Sequence, residues 1–358
     1  MTGVVLVCVV GVLVAVTVVG FVARRVGTGA GGEVLATVAD DLDLPRLEVN
    51  GFTFHAEAHG DVTRPVIIVI HGGPGGDYRS LLTLTDLADR YRVVFFDQRG
   101  AGLSTRVPAA ELTAETALAD LDAIIDHHSP GAPVTLIGHS WGATLAAGYL
   151  RHRPDRVGAA VLAEPGYLDQ SEYDEWRQRY EQLMSGWSYA RLAVVAGFAA
   201  QRISEPDEHA SDDYLVGQRI LPAFLNHPDN PYHRPGHRYS APSWRWGKVA
   251  GDALSGEIFS DATGSRPPFT GPVLFLAGAC NTWIGEALQA RHAESYPNAS
   301  VVVISDAGHD MFWDNPPDTL AAIRRFLGVE CAMDASGGDT LEHEPPDNSA
   351  TPWVRLDQ

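Results

Sequence analysis

The stretch VTLIGHSWGATLAAGYL, residues 134–150, places a serine between two glycines where an apolar strand pattern becomes a helix pattern. VTLI is typical of a buried strand, and ATLAAGYL consists mainly of good helix formers. A turn sharp enough to join the two imposes strained backbone angles on Ser140. Gly138 and Gly142 are needed because a Cβ on either side would collide with the neighbouring strand or helix. The stretch therefore predicts a strand–turn–helix unit that exposes the Ser140 hydroxyl as a nucleophile at the top of a sheet.

Strand and helix patterns alternate along most of the chain. LEVNGFTFHAEA predicts two strands joined by an Asn50-Gly51 hairpin turn. Further strands are predicted at 66–70, 92–96, 134–137, 159–163, 273–277 and 301–304, and helices around 81–89, in TAETALADLDAIIDHH and at 319–327. This order predicts an α/β fold with a mostly parallel sheet and helices on both faces, in which ligands bind at the carboxyl ends of the strands.

The alternation stops at about residues 165–270, where helical patches and a stretch rich in Pro, His and Trp predict an inserted, mainly helical cap. Its many acidic residues are interpreted as solvated faces. The alternative is that one or two of them bind a positively charged substrate group. The predicted domains are an N-terminal anchor at 1–25, a linker at 26–46, the α/β domain at 47–329 with its cap, and a disordered acidic tail at 330–358.

Residues 3–23 contain no charged side chain and, as a helix, would be about 30 Å long, enough to cross a bilayer. We expect one uncleaved transmembrane helix. The alternative is a cleaved signal peptide, but the apolar region is long for one, no lysine or arginine precedes it, and a clear A-x-A site is missing. Because Arg24 and Arg25 follow the span, the expected topology is a single-pass membrane protein with a cytoplasmic catalytic domain.

The net charge of −19 argues against nucleic acid as a partner. The three cysteines indicate neither a disulfide framework nor a zinc site. Prolines among His227, His233 and His237 prevent these residues from sharing one helical face, so they are interpreted as surface histidines. No phosphate-binding loop or dinucleotide fingerprint is present, and we expect no cofactor and no metal. The sequence gives no indication of the oligomeric state.

Two further motifs accompany the serine turn. HGGPGG, residues 71–76, follows one predicted strand, and DQRGAGLS, residues 97–104, follows the next. The glycines let backbone N–H groups approach a substrate, so Gly73 and Trp141 are the predicted oxyanion hole. In this order, HGGPG, DQRGxGxS and GHSWGA resemble the α/β-hydrolase superfamily and, within it, the proline iminopeptidase-like branch. The resemblance covers about residues 47–329 without the cap.

This resemblance implies a serine hydrolase with the chain order nucleophile, acid, histidine. VVVISDAGHDMFWDNPP is similar to the family's histidine loop, which makes His309 the expected base. Ser140 would then attack a carbonyl carbon, and water would hydrolyse the resulting acyl-enzyme. His71 and His139 belong to motifs whose role in the family is structural.

The expected acid departs from the family pattern. The peptidase branch has G-x-x-D after the strand PVLFLA, and this chain has Asn281 at the aspartate position. An amide accepts a hydrogen bond from imidazole, but it cannot stabilise the imidazolium by charge. Glu164, at the end of the preceding core strand, resembles the relocated acid of some haloalkane dehalogenases and is the predicted acid. The alternative is that Glu164 begins the cap and pairs with an arginine. Asn281→Asp is expected to be tolerated.

The expected function is therefore a membrane-anchored serine hydrolase, resembling proline iminopeptidase, that cleaves small peptides or amides. A carboxylesterase acting on small esters is one alternative, and a non-catalytic binding protein with the hydrolase fold is another. The expected partners are a small-molecule or short-peptide substrate and the membrane, through residues 3–23.

Overall fold

The computed structural model describes residues 36–200 and 269–328, which include an eight-stranded sheet with the order β1-β2-β4-β3-β5-β6-β7-β8. Its strands are β1 Arg46–Val49, β2 Phe52–His59, β3 Val66–Ile70, β4 Arg92–Phe96, β5 Val134–His139, β6 Val157–Ala163, β7 Val273–Gly278 and β8 Ala299–Ile304. β2 is antiparallel to β1 and to β4, and every other neighbouring pair is parallel. The prediction of a mostly parallel sheet is confirmed.

The helices alternate with the strands much as predicted. They are α1 Ala114–His128, α2 Trp141–His152, α3 Gln170–Leu183, α4 Gly186–Ala200, α5 Glu286–Ala293, α6 Met311–Asp314 and α7 Pro316–Phe326. The helix expected around 81–89 is a 3-10 helix over Tyr78–Asp89, whose start is capped by Asp77. The last helix begins at Pro316, earlier than expected, because the Asn315 side chain caps it and proline fits its first turn.

Apolar side chains cover both faces of the sheet. In β3, Ile68 and Ile70 pack in a core formed with α1 and α2, whereas Ile67 and Val69 pack in a second core with the 3-10 helix and α7. All five residues of β3 are buried. Strands buried on both faces read as continuous apolar runs, which explains why the β3 region of the sequence shows no alternation.

The two turn predictions that depend on glycine are confirmed by the backbone. Asn50 and Gly51 join β1 to β2 with φ values of 50° and 67°, as a tight hairpin turn requires. A Cβ on Gly142 would lie 2.1 Å from the carbonyl oxygen of Ile70, and one on Gly138 would lie 2.4 Å from that of Gly142. α2 therefore crosses β3 at backbone contact distance.

Several predicted segments lie outside the described residues: the anchor at 3–23, the cap residues 201–268 with His227, His233 and His237, and the tail at 330–358. None of the helices in residues 36–200 and 269–328 combines the length and apolar character needed to cross a bilayer. The end of the expected linker packs against the domain, since Val38 is buried and its N–H donates to the Leu103 carbonyl at 2.9 Å.

We expect Gly142→Ala to lower the free energy of unfolding by about 3 kcal/mol, because the new methyl group meets the rigid backbone of β3. Gly158→Ala in β6 is the matched control, since its Cβ would have no neighbour closer than 3.7 Å and should stay within about 1 kcal/mol of the wild type. Urea unfolding of a variant lacking residues 1–32 measures both. Equal stability of the two variants would contradict the close crossing of α2 and β3.

Candidate active site

Ser140 occupies the turn between β5 and α2 with φ 55° and ψ −124°. This backbone conformation is strained for a residue with a side chain, at a cost of about 1–3 kcal/mol. The neighbouring backbone holds it: the Ser140 N–H donates to the Ala163 carbonyl at 2.8 Å, and the Ser140 carbonyl accepts from the Ala143 N–H at 2.9 Å. Its side chain lies at the N-terminal end of α2, where the helix dipole favours negative charge.

The HGGPGG loop lies directly beside Ser140. A Cβ on Gly72 would lie 3.0 Å from the Ser140 Cβ, so only glycine leaves room there without displacing the serine. The next residue, Gly73, has a φ of 129° that disfavours any side chain. Trp141 is the first residue of α2, and its N–H therefore has no carbonyl partner within the helix. The arrangement places two glycines and a helix N-terminus around the serine.

Gln98, which the sequence analysis did not select, connects these loops. Its side-chain N–H donates to the His71 carbonyl at 2.7 Å, and its side-chain oxygen accepts from the Trp141 indole at 3.1 Å. The His71 Nε2 accepts from the Gln98 backbone N–H at 2.9 Å, so its Nδ1 carries the proton and donates to the Gly72 carbonyl at 2.8 Å. The position of Gln98 in the DQRG motif was the only sequence signal.

Glu164 follows β6 and is fully buried. Its Oε2 lies 2.8 Å from His309 Nδ1 and accepts from Asn281 Nδ2 at 2.7 Å, and its Oε1 accepts from the Gly278 N–H at 2.7 Å. The alternative interpretation, in which Glu164 pairs with an arginine, does not match these contacts. Burial raises the pKa of Glu164 above its usual range, while the N–H groups of Gly278 and Asn281 oppose this increase.

His309 lies between β8 and α6, and burial lowers its pKa to about 4. Its carbonyl accepts from His139 Nε2 at 2.8 Å, and the two rings are 4.7 Å apart. Burial also lowers the pKa of His139, to about 3, which keeps a second positive charge away from His309 at neutral pH. A neutral His309 that donates through Nδ1 carries its lone pair on Nε2, the protonation state that a general base requires.

The Asn281 side chain donates to Glu164. Its side-chain oxygen accepts from the backbone N–H groups of Trp283 and Ile284 at 3.0 and 3.1 Å, which directs its amide N–H toward Glu164. The two side chains meet because β6 and β7 are adjacent parallel strands, with Ala163 opposite Leu276. The position where the peptidase branch has its aspartate therefore contacts Glu164, the predicted acid.

The acidic residues at the start of the cap are only partly the solvated faces expected. Glu172 of α3 is half-buried and pairs with His292 at 2.8 Å and Arg291 at 3.3 Å, both in α5. Trp176 of α3 stacks on Trp283 with ring centroids 5.7 Å apart. These contacts fix α3 against the sheet domain and leave the Glu172 carboxylate already engaged by an arginine and a histidine.

Comparison with known proteins agrees with the fold described above. A family model described as the alpha/beta hydrolase fold matches residues 65–316. A proline iminopeptidase of Heyndrickxia coagulans is 24% identical over 269 residues, which are 73% of this chain and 90% of that protein. The sn-1-specific diacylglycerol lipase ABHD11 of Mus musculus is 24% identical over 277 residues, 75% of this chain and 82% of that protein.

Among solved structures, a thermophilic esterase from Thermogutta terrifontis has a TM-score of 0.54 at 22% identity and covers 80% of this chain and 97% of its own. This likeness concerns the fold.

Proposed function

Because this chain belongs to the alpha/beta hydrolase family, we propose that it is a serine hydrolase with Ser140 as nucleophile, His309 as base and Glu164 as acid. The observation that carries the proposal is the 2.8 Å contact between Glu164 Oε2 and His309 Nδ1. Both groups are buried, and the serine between β5 and α2 has the strained backbone of a nucleophile turn. A nucleophile, a base and a carboxylate at neighbouring strand ends form a complete acyl-transfer site.

In the proposed reaction, His309 Nε2 accepts the Ser140 hydroxyl proton while the Ser140 oxygen attacks a carbonyl carbon. The backbone N–H groups of Gly73 and Trp141 donate hydrogen bonds to the resulting oxyanion. His309 then donates its proton to the leaving group, which leaves an acyl-enzyme on Ser140. Water, deprotonated by the same histidine, hydrolyses this ester and regenerates the serine.

Glu164 contributes charge at the moment when His309 becomes an imidazolium. The hydrogen bond from Nδ1 fixes the ring tautomer, and the carboxylate stabilises the positive charge in a region of low dielectric constant. The N–H donors from Gly278 and Asn281 favour the ionised carboxylate that this role needs.

The proposed substrates are small peptides or amides from which an N-terminal residue is released. The order of the three motifs and the similarity to a proline iminopeptidase over most of its length support this class. Hydrolysis of small esters is the second candidate, supported by the similarity to a diacylglycerol lipase over a comparable share of the chain. Both classes use the same acyl-enzyme chemistry and differ in the leaving group.

The proposed location is the membrane, through an uncleaved helix at residues 3–23. The support is the sequence itself: 21 consecutive residues without a charge, followed by Arg24 and Arg25. The domain would then lie on the cytoplasmic side.

A fluorophosphonate probe should label the wild type, and Ser140→Ala should abolish both labelling and turnover, with a rate loss of about three decades or more. Ser185→Ala, in an exposed segment of the cap, is the control and should label normally. Turnover of proline arylamide supports the peptidase class, whereas turnover of short acyl esters alone supports the esterase class. A folded wild type that neither labels nor hydrolyses these substrates would contradict the serine hydrolase and favour a binding protein.

Glu164→Gln should lower kcat by at least about 100-fold, because the amide cannot stabilise the imidazolium by charge. Glu172→Gln is the matched control, since it changes a glutamate at the same 2.8 Å from a histidine, away from Ser140. We expect its kcat to fall by less than about tenfold. Steady-state kinetics at pH 7.5 distinguishes the two, and a near-normal kcat for Glu164→Gln would disprove the assigned acid.

Deletion of residues 1–32 should release the protein from membranes with unchanged kcat/KM, because in the part of the chain that the structure describes the buried residues begin at Thr37 and Val38. Membrane flotation and kinetics of the full-length and truncated proteins measure both effects. If the mature full-length protein instead begins near Gly31, the segment is a cleaved signal and the anchor assignment is wrong.

A further inference from the structure

We infer that Asn281 is a positioning residue that holds the Glu164 carboxylate against His309. The end of β7, which carries the acid in the peptidase branch, would then support an acid that lies at the end of β6. The inference rests on the proposed function of Glu164. It assigns to Asn281 a role in the reaction that is exerted through another side chain.

The direction of the Asn281 amide follows from its surroundings. Two backbone N–H groups, from Trp283 and Ile284, point at one side-chain atom at 3.0 and 3.1 Å. That atom must be the oxygen, because the amide nitrogen has no acceptor capacity. The nitrogen is consequently the atom 2.7 Å from Glu164 Oε2, and it donates.

The carboxylate is held at both oxygens. Oε1 accepts from the Gly278 N–H, and Oε2 accepts from Asn281 and lies against His309. Glu164 is 0% exposed and Asn281 is 6% exposed, so water cannot easily replace a lost donor. Without the Asn281 N–H, Oε2 has one partner fewer among the described residues and the carboxylate is both less constrained and less stabilised in its ionised form.

An aspartate at position 281 would have the opposite effect. Its carboxylate would face Glu164 Oε2 at about the distance of the present hydrogen bond, so the two groups would repel when both are ionised at high pH and would share one proton at lower pH. The asparagine present has nearly the same shape, keeps the hydrogen bonds from the Trp283 and Ile284 N–H groups, and donates to Glu164 where an aspartate would repel it. A glutamate at the end of β6 is therefore compatible with an asparagine at the end of β7, and this reverses the expectation that Asn281→Asp is tolerated.

Asn281→Asp is the decisive variant, because it keeps the acceptor for the two backbone N–H groups and replaces the donor to Glu164 with a carboxylate oxygen. At pH 8 its kcat should be at least about tenfold below the wild type, with KM within about threefold. As the pH falls toward 5.5, the shared proton restores a donor and the deficit should shrink. Wild-type-like activity at pH 8, or a deficit independent of pH, would overturn the inference.

A double-mutant cycle tests whether Asn281 acts through Glu164. Asn281→Ala alone should lower kcat about tenfold, but in the Glu164→Gln background it should cost less than about threefold more. If the double variant loses the product of the two single losses in kcat, Asn281 acts independently of Glu164. Asn298→Ala, which removes a surface asparagine bonded to the Thr270 carbonyl, is the matched control and should keep the wild-type kcat.

A readout independent of turnover separates this inference from the proposed function. The proton resonance of His309 Nδ1–H, identified by its loss in His309→Gln, should shift in Asn281→Ala and remain in place in Asn298→Ala. If the wild type neither labels with fluorophosphonate nor turns over, the proposed function fails while this shift still reports the contact. An unchanged resonance in Asn281→Ala would overturn the positioning role in either case.

Discussion

The main-chain hydrogen bonds between neighbouring parallel strands extend past the ends of β5, β6 and β7 and determine where the site lies. The N–H of Ser140 donates to the last residue of β6, and the N–H of Glu164 donates to Leu276 of β7. The N–H of Ala279 in turn donates to Ile304 of β8. Each residue that leaves a strand is thus tied to the next strand in the sheet, so the serine, the carboxylate and the histidine loop keep fixed relative positions before any side chain interacts.

Burial then strengthens the polar contacts between these side chains, because water does not compete for them. Glu164 has no exposed surface, and the pKa of His309 is lowered by the same exclusion of water. A group in such a place is stabilised by the protein's own donors and acceptors rather than by solvent. The cost of enclosing a carboxylate is offset by two donors at the end of β7, Gly278 and Asn281, and by His309. This need for donors explains why an asparagine occupies the position where the peptidase branch has an aspartate.

The sequence predicted the elements whose patterns are local, namely all eight strands, the glycine-dependent turn at Ser140 and the Asn50-Gly51 hairpin. It did not predict the direction of the Asn281 amide, because that depends on the backbone N–H groups of Trp283 and Ile284 across a short turn. It also missed Gln98, whose three hydrogen bonds to His71 and Trp141 join segments far apart in the chain. Such contacts depend on the sheet order, which no local pattern encodes.

The turn that fixes Asn281 also carries Trp283, which stacks on Trp176 of the first cap helix. The predicted cap, which we expect to select substrates, and the turn that contacts Glu164 therefore share one aromatic contact. Exchanging the cap to create a new specificity would replace α3 and remove half of this stack. Engineered chimaeras of this scaffold should consequently retain α3 as part of the sheet domain and place the graft boundary after it.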